Sequence, residues 1–102
     1  MGRQPDACEL CQRKEILTKH HLIPRSMHQR KSIQKQLSRA EMQTRLLWVC
    51  RCCHNYIHLL FDEKELALYW NTRGKLLASD SIQKFIQWLV DKPVGFKVRF
   101  RR

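Results

Sequence analysis

The chain has 102 residues, a length that favours a single domain with a modest core. Twenty Lys and Arg against nine Asp and Glu leave a net charge of +11. Such an excess points to nucleic acid before an anionic membrane, because the basic residues do not gather on one amphipathic helix. The five cysteines are an odd number for an extracellular disulfide framework. No signal-peptide pattern precedes the first of them, and no apolar stretch nears the roughly 20 residues that span a bilayer. The expectation is a cytoplasmic protein, not membrane-bound, with thiols kept reduced and available to metal.

Residues 1–19 read as a knuckle and turn with Cys8 and Cys11 at its tip. Residues 17–23 suit a short strand that Pro24 stops. The segment 25–45 is strongly cationic, with Glu41 its one acid; Ile33, Leu37 and Ala40 recur in it at helical spacing and predict a short helix. The apolar run 46–49 suits a second strand. A helix is expected over 53–61, with Ile57, Leu60 and Phe61 on its buried side and His54 and His58 one turn apart on one face. It continues over 63–70, where Leu66, Tyr69 and Trp70 keep the spacing, and breaks at 71–74. A third helix starts near Asp80, a capping residue with Gln83 three positions on. Its apolar stripe is Ile82, Phe85, Ile86, Leu89 and Val90, and Lys92-Pro93 ends it. Residues 96–101 alternate apolar and basic, as a half-buried strand does.

Two Cys-x-x-Cys turns, Cys8/Cys11 and Cys50/Cys53, supply the four thiolates of a closed, structural zinc site. Cys52 is the odd thiol; it can replace a neighbour, but the two-residue gap matches the first knuckle better. A thioredoxin-like redox motif lacks its βαβ context here. The histidines exceed what one zinc needs, even if His54 or His58 were to take the place of a cysteine. His54 and His58 can bind one cation from a single helical face. His20 or His21 can add a third nitrogen, since neighbours on a strand point to opposite faces. Three imidazoles with open positions make a catalytic type of site. His28 reads as an ordinary solvated or core histidine.

The run His20-His21-Leu22-Ile23-Pro24, with Val49-Cys50-Arg51-Cys52-Cys53-His54 after it, resembles the HNH endonucleases of the ββα-metal, or His-Me finger, superfamily. It is similar in particular to small stand-alone members with flanking zinc knuckles. The likeness covers about residues 8–61; a weaker one ties 59–88 to the C-terminal extension of the same small proteins. It implies an α+β chain forming one nuclease domain over 1–102: a ββα-metal core at about 8–61, then C-terminal helices and a short basic strand. It also implies roles. His20, His54 and His58 would hold a catalytic divalent ion, and His21 would be the general base. The family's middle Asn is absent: Arg45, beside Thr44, stands in its place, where the Asn helps hold the loop that carries the base. The implied reaction is metal-dependent hydrolysis of DNA, leaving 5′-phosphate and 3′-hydroxyl ends. Three imidazoles suit Zn2+, Ni2+, Co2+ or Mn2+ better than Mg2+, though family members commonly use Mg2+ or Mn2+.

The DNA would be held through its phosphates by Arg25, Arg30, Lys31, Lys35 and Arg39, with residues 97–102 as a second basic face. One proposed active site implies nicking one strand at a time, by a monomer or within a homodimer. A zinc-stapled nucleic-acid-binding module without catalysis is the alternative. It needs only the four thiolates and the charge, and leaves four histidines without a task. A redox or metal-handling role for Cys52 does not explain the charge.

Overall fold

The computed structural model describes residues 4–98. Within them, two strands pair antiparallel: β1 (Leu17–His21) and β2 (Leu46–Cys50). Between them the chain makes a 3-10 turn (Arg25–Met27) and two short helices, α1 (Lys31–Gln34) and α2 (Arg39–Thr44). After β2 come α3 (Arg51–Leu60), α4 (Glu63–Tyr69), α5 (Arg73–Leu77) and α6 (Asp80–Leu89). The residues 99–101 of the expected basic strand lie outside the described residues, and residues 96–98 are not a strand. No helix among the described residues is long and apolar enough to cross a membrane.

The register fixes what each strand presents. Leu17 faces Cys50, Thr18 Val49, Lys19 Trp48, His20 Leu47 and His21 Leu46. Side chains alternate along a strand, so Thr18 and His20 share one face with Leu47 and Val49, and His21 falls on the other. Val49 and Leu47 are buried on that first face, and α3 packs against both strands. Within α3, Cys53 and Ile57 sit four apart on the buried side, with Leu60 partly buried beyond them. Burying a side chain such as Ile57 stabilises the helix–sheet contact by roughly 1.5–3 kcal/mol.

The knuckle at Cys8–Cys11 docks on the edge of β2: the Glu9 backbone N–H donates to the Trp48 carbonyl at 2.9 Å, and Trp48 N–H donates to the Glu9 carboxylate at 2.7 Å. Gln12, at the end of the knuckle, holds a left-handed φ of 66°. Buried Arg13 pairs with Glu15 and donates to the carbonyls of Lys92 and Pro93, while Glu15 accepts from Gly95 N–H. This ties the segment after α6 to the knuckle. Tyr56 of α3 stacks on Phe85 of α6 at 4.0 Å between centroids.

Several expected boundaries move, each for a local reason. β1 ends at His21. α3 begins at Arg51, because Cys50 is its N-cap, and stops at Phe61, which is extended. α4 is a separate helix: Asp62 accepts from Glu65 N–H and Glu65 accepts from Asp62 N–H, a reciprocal capping box. Its buried residues are Leu66 and Ala67, whereas Tyr69 is exposed. Gly74 is not a breaker but lies inside α5, which Thr72 caps. α6 is capped by Ser79 rather than Asp80; Asp80 is its first residue and pairs with Lys84, and Gln83 donates to the Leu77 carbonyl. Val90 is exposed at the C-cap of α6.

In the cationic segment, Ser38 and Glu41 form a second capping box that starts α2. Ala40 is exposed there and Met42 takes the buried position. Ile23, Met27, Ile33, Leu37, Met42 and Ala67 make a small core of their own under the segment 22–45.

Candidate metal centres

Four of the five cysteines meet at one point. Cys8 and Cys11 come from the knuckle, Cys50 from the end of β2 and Cys53 from the first turn of α3; all are buried, with sulfurs within 4.8 Å of one another. The Cys11 and Cys50 sulfurs are 3.8 Å apart. Zinc–sulfur bonds of about 2.3 Å in a tetrahedron give edges of about 3.8 Å. The backbone N–H groups of Leu10 and Cys11 both donate to Cys8 Sγ at 3.4 Å, favouring a thiolate there.

Left to one another, the four thiols cannot all ionise. Donation from the Cys11 thiol, then from Cys50 and Cys53, pulls Cys8 down, while Cys50 and Cys53 are pushed up, chiefly by Cys11. A divalent cation lets all four carry charge together, so the donor set fits a metal ion such as zinc. Cys52 is buried but outside the cluster. It donates to the Phe96 carbonyl at 3.3 Å, and burial raises its pKa.

The second cluster forms between β1 and α3. His20 from β1 meets His54 and His58 from α3, with ring centroids 5.3, 5.3 and 5.1 Å apart and one nitrogen from each within 4.8 Å of the others. His20 is fully buried, and among the described residues neither of its ring nitrogens has a hydrogen-bond partner. A buried polar group left so costs about 1–3 kcal/mol. Coordination of a cation by one of those nitrogens would remove part of that cost, so the donor set fits a metal here too. His54 is half-buried and His58 exposed, so the cluster opens to solvent along α3. Burial, then the neighbouring His54 and His58, pushes His20 down to about 3; burial, then His58, pushes His54 down to about 4. Burial lowers His58 as well, against a smaller opposing pull from Glu63, so burial favours the neutral form of all three rings.

Thr18 sets the tautomer of one of them. Its hydroxyl donates to the Val49 carbonyl at 2.9 Å and so accepts from His54 Nδ1–H at 2.7 Å, leaving Nε2 of His54 with the lone pair. The sequence reading missed Thr18. Its signal was the strand alternation that sets it two residues from His20 on the same face.

His21 stands on the opposite face of β1 and is outside the three-histidine cluster. Burial lowers its pKa first, then the charges of Arg25, Lys19 and His28. His21 in turn is among the charges acting on His20 and His54. His28, half-buried, donates from Nε2 to the Ile23 carbonyl at 2.9 Å and braces the turn after β1. Arg45 does not aim its side chain at the loop carrying His21: Nη1 donates to the Asn71 carbonyl at 3.2 Å and Nη2 pairs with Glu41 at 3.3 Å. Its backbone carbonyl, however, accepts from Leu22 N–H at 3.0 Å and pins the residue next to His21.

Arg25, Arg30, Lys31, Lys35 and Arg39 are all exposed along the segment between the strands, and none has a carboxylate partner among the described residues. Of the expected second basic face, Lys97 is exposed and residues 99–102 lie outside the described residues.

Fold and sites together define a small, basic α+β protein with a two-stranded sheet and a four-cysteine cluster suited to zinc. The chain is 32% identical over 87 residues to the uncharacterized protein YisB of Bacillus subtilis (strain 168), a match covering 84% of this chain and 75% of that protein. It belongs to the same family as YisB. No family model and no solved structure matches it.

Proposed function

We propose that the protein is a metal-dependent DNA endonuclease of the HNH type, built on a ββα-metal core. The observation that carries this reading is the environment of His20: a fully buried imidazole with neither nitrogen hydrogen-bonded among the described residues, beside His54 and His58. A purely structural histidine would have found a partner. The order β1, β2, α3, with one imidazole from the first strand and two from the helix, supports the same reading.

His20, His54 and His58 would hold the divalent ion, which would supply Lewis acidity for phosphodiester cleavage. His21, kept neutral by partial burial and nearby cations, accepts a proton from the attacking water at a ring nitrogen. The water oxygen bonds to phosphorus as the bond to the 3′ oxygen breaks and that oxygen takes a proton from solvent, giving 5′-phosphate and 3′-hydroxyl ends. Arg25 and its cationic neighbours hold the backbone without reading sequence. The four-cysteine zinc site fixes the start of α3, and with it the direction of His54 and His58.

One observation favours a second reading, a zinc-stapled nucleic-acid-binding module: the side chain of Arg45 turns to Asn71 instead of bracing the loop of His21. Plasmid nicking with added Mn2+ or Mg2+ separates the two. The nuclease reading expects wild-type protein to nick and His21→Ala to lose about 100-fold or more in rate. No nicking by wild type, with DNA binding intact, establishes the module instead.

A further inference from the structure

A cleft of about 540 Å³ opens within the segment between the strands, inside the range of small-ligand sites. Its walls carry two cations, Arg25 and Arg39, and no acid. The one acid of that segment, Glu41, is engaged by Ser38 and Arg45. Three carboxamides, Gln29, Gln34 and Gln43, line the same space, and Leu37 and Met42, both buried, form its floor. Gln34 spends its amide N–H on the His28 carbonyl and keeps its oxygen as an acceptor. Gln29 and Gln43 are exposed, and their side chains make no hydrogen bond among the described residues. The cleft is tied to the end of the strand that carries the proposed base: its His28 donates from Nε2 to the carbonyl of Ile23, two residues after His21, at 2.9 Å.

Cations without acids select an anion, and an apolar floor selects a flat apolar surface above it. Carboxamides, each a donor beside an acceptor, match the edge of a nucleobase; a glutamine amide pairs in this way with adenine N6 and N7. We propose that this cleft holds one nucleotide of the strand being cut, next to the scissile phosphate, with Arg25 and Arg39 on its phosphate and the glutamine amides on its base. The inference rests on the nuclease reading for which nucleotide is bound, and gives that reading a base preference beside the cut, with adenine first.

The test is an NMR titration of full-length, zinc-loaded protein with deoxyadenosine 5′-monophosphate, and separately with inorganic phosphate. The nucleotide is expected to shift the side-chain amides of Gln29 and Gln43 and the methyl groups of Leu37 and Met42. Half-saturation is expected at a concentration about tenfold lower than for phosphate. The pair Arg25→Gln and Arg39→Gln, both at exposed positions, is expected to weaken nucleotide binding about tenfold with the rest of the spectrum unchanged. Equal response to phosphate and nucleotide, or shifts away from these four residues, overturns the proposal. The two readings fail separately: nucleotide binding in the cleft by a protein that nicks no plasmid removes the nuclease and keeps the cleft, whereas nicking without these shifts removes the cleft alone.

Discussion

The hydroxyl of Thr18 sits between the Val49 carbonyl at 2.9 Å and His54 Nδ1 at 2.7 Å, so one strand residue decides which nitrogen of a helical histidine faces the cluster. Outer partners of this kind typically change metal affinity 10–100-fold when removed. Thr18→Val keeps the branched shape of the side chain and deletes the acceptor. It is expected to weaken Mn2+ binding at the three-histidine cluster by about tenfold or more in calorimetric titration of zinc-loaded protein. Thr18→Ser restores the hydroxyl and is expected to restore affinity. Equal affinity in the wild-type and valine proteins would show that Thr18 does not orient His54.

The cysteines separate by position rather than by burial. Cys11 is 3.8 Å from Cys50 inside the cluster, whereas the equally buried Cys52 is turned to Phe96. Cys52→Ser keeps a donor for the Phe96 carbonyl and is expected to retain one Co2+ ion with the absorption of a tetrahedral four-thiolate site. Cys11→Ser is expected to lose that spectrum. It should also unfold, because about 10 kcal/mol or more of metal-binding energy is comparable to the whole stability of a small domain. A Cys52→Ser protein that loses the four-thiolate spectrum would mean that the ligand set has been misassigned.

What could be read from sequence follows from how local each constraint is. The thiol cluster needs two short turns of fixed spacing, and the pairing of His54 with His58 needs only one helical turn, so both were visible in the chain. That His20 joins them depended on strand alternation, which settles opposite faces but not which face meets α3; the register with Leu47 settles it. Helix ends were read less well because apolar spacing runs across them. Leu66, Tyr69 and Trp70 resume a spacing of three and four soon after Ile57, Leu60 and Phe61, yet Asp62 and Glu65 cap a new helix between the two sets. Ser79 competes with Asp80 for one cap, and its hydroxyl reaches Ile82 N–H at 3.3 Å. Ala40 has the right spacing but lies outside the core, because Met42 fills the space under the cationic segment. Arg13 carried no pattern at all; its burial follows from the return of the chain after α6.

The exposed cations between the strands make a quantitative claim about DNA. Each phosphate neutralised contributes about −0.9 to the slope of log affinity against log salt. Arg25, Arg30 and Lys35 have no carboxylate partners among the described residues, so replacing all three with Gln is expected to make that slope less negative by about 2–3. The folded baseline should barely move, as exposed side chains away from the core rarely change stability by more than about 0.5 kcal/mol. Fluorescence anisotropy with a labelled duplex over a salt series measures the slope. A triple variant with the wild-type slope would remove this face from the DNA-binding surface.

The buried imidazole of His20 links stability to pH with a definite sign. In the folded protein burial, then the charges of His54 and His58, holds its pKa at about 3, against 6.5 for an unhindered histidine. Above pH 6.5 both folded and unfolded chains carry a neutral ring, and the full stability is present. As the pH falls through 6.5 the unfolded chain takes up a proton that the folded one refuses, so stability falls, and it continues to fall until the folded value near 3 is reached. One such group contributes a slope approaching 1.4 kcal/mol per pH unit well below 6.5. His54, half-buried and pushed down to about 4, adds a weaker effect of the same sign. Urea unfolding of zinc-loaded protein with no second divalent ion, compared at pH 7.5 and 5.5, measures this. The four thiolates also lose zinc in acid, but equally in wild type and in His20→Gln, so the difference between the two proteins isolates the ring. The wild type is expected to lose about 1 kcal/mol more than His20→Gln over that interval. Parallel behaviour of the two would mean that His20 is protonated as easily in the fold as in the open chain, and is not buried against His54 and His58.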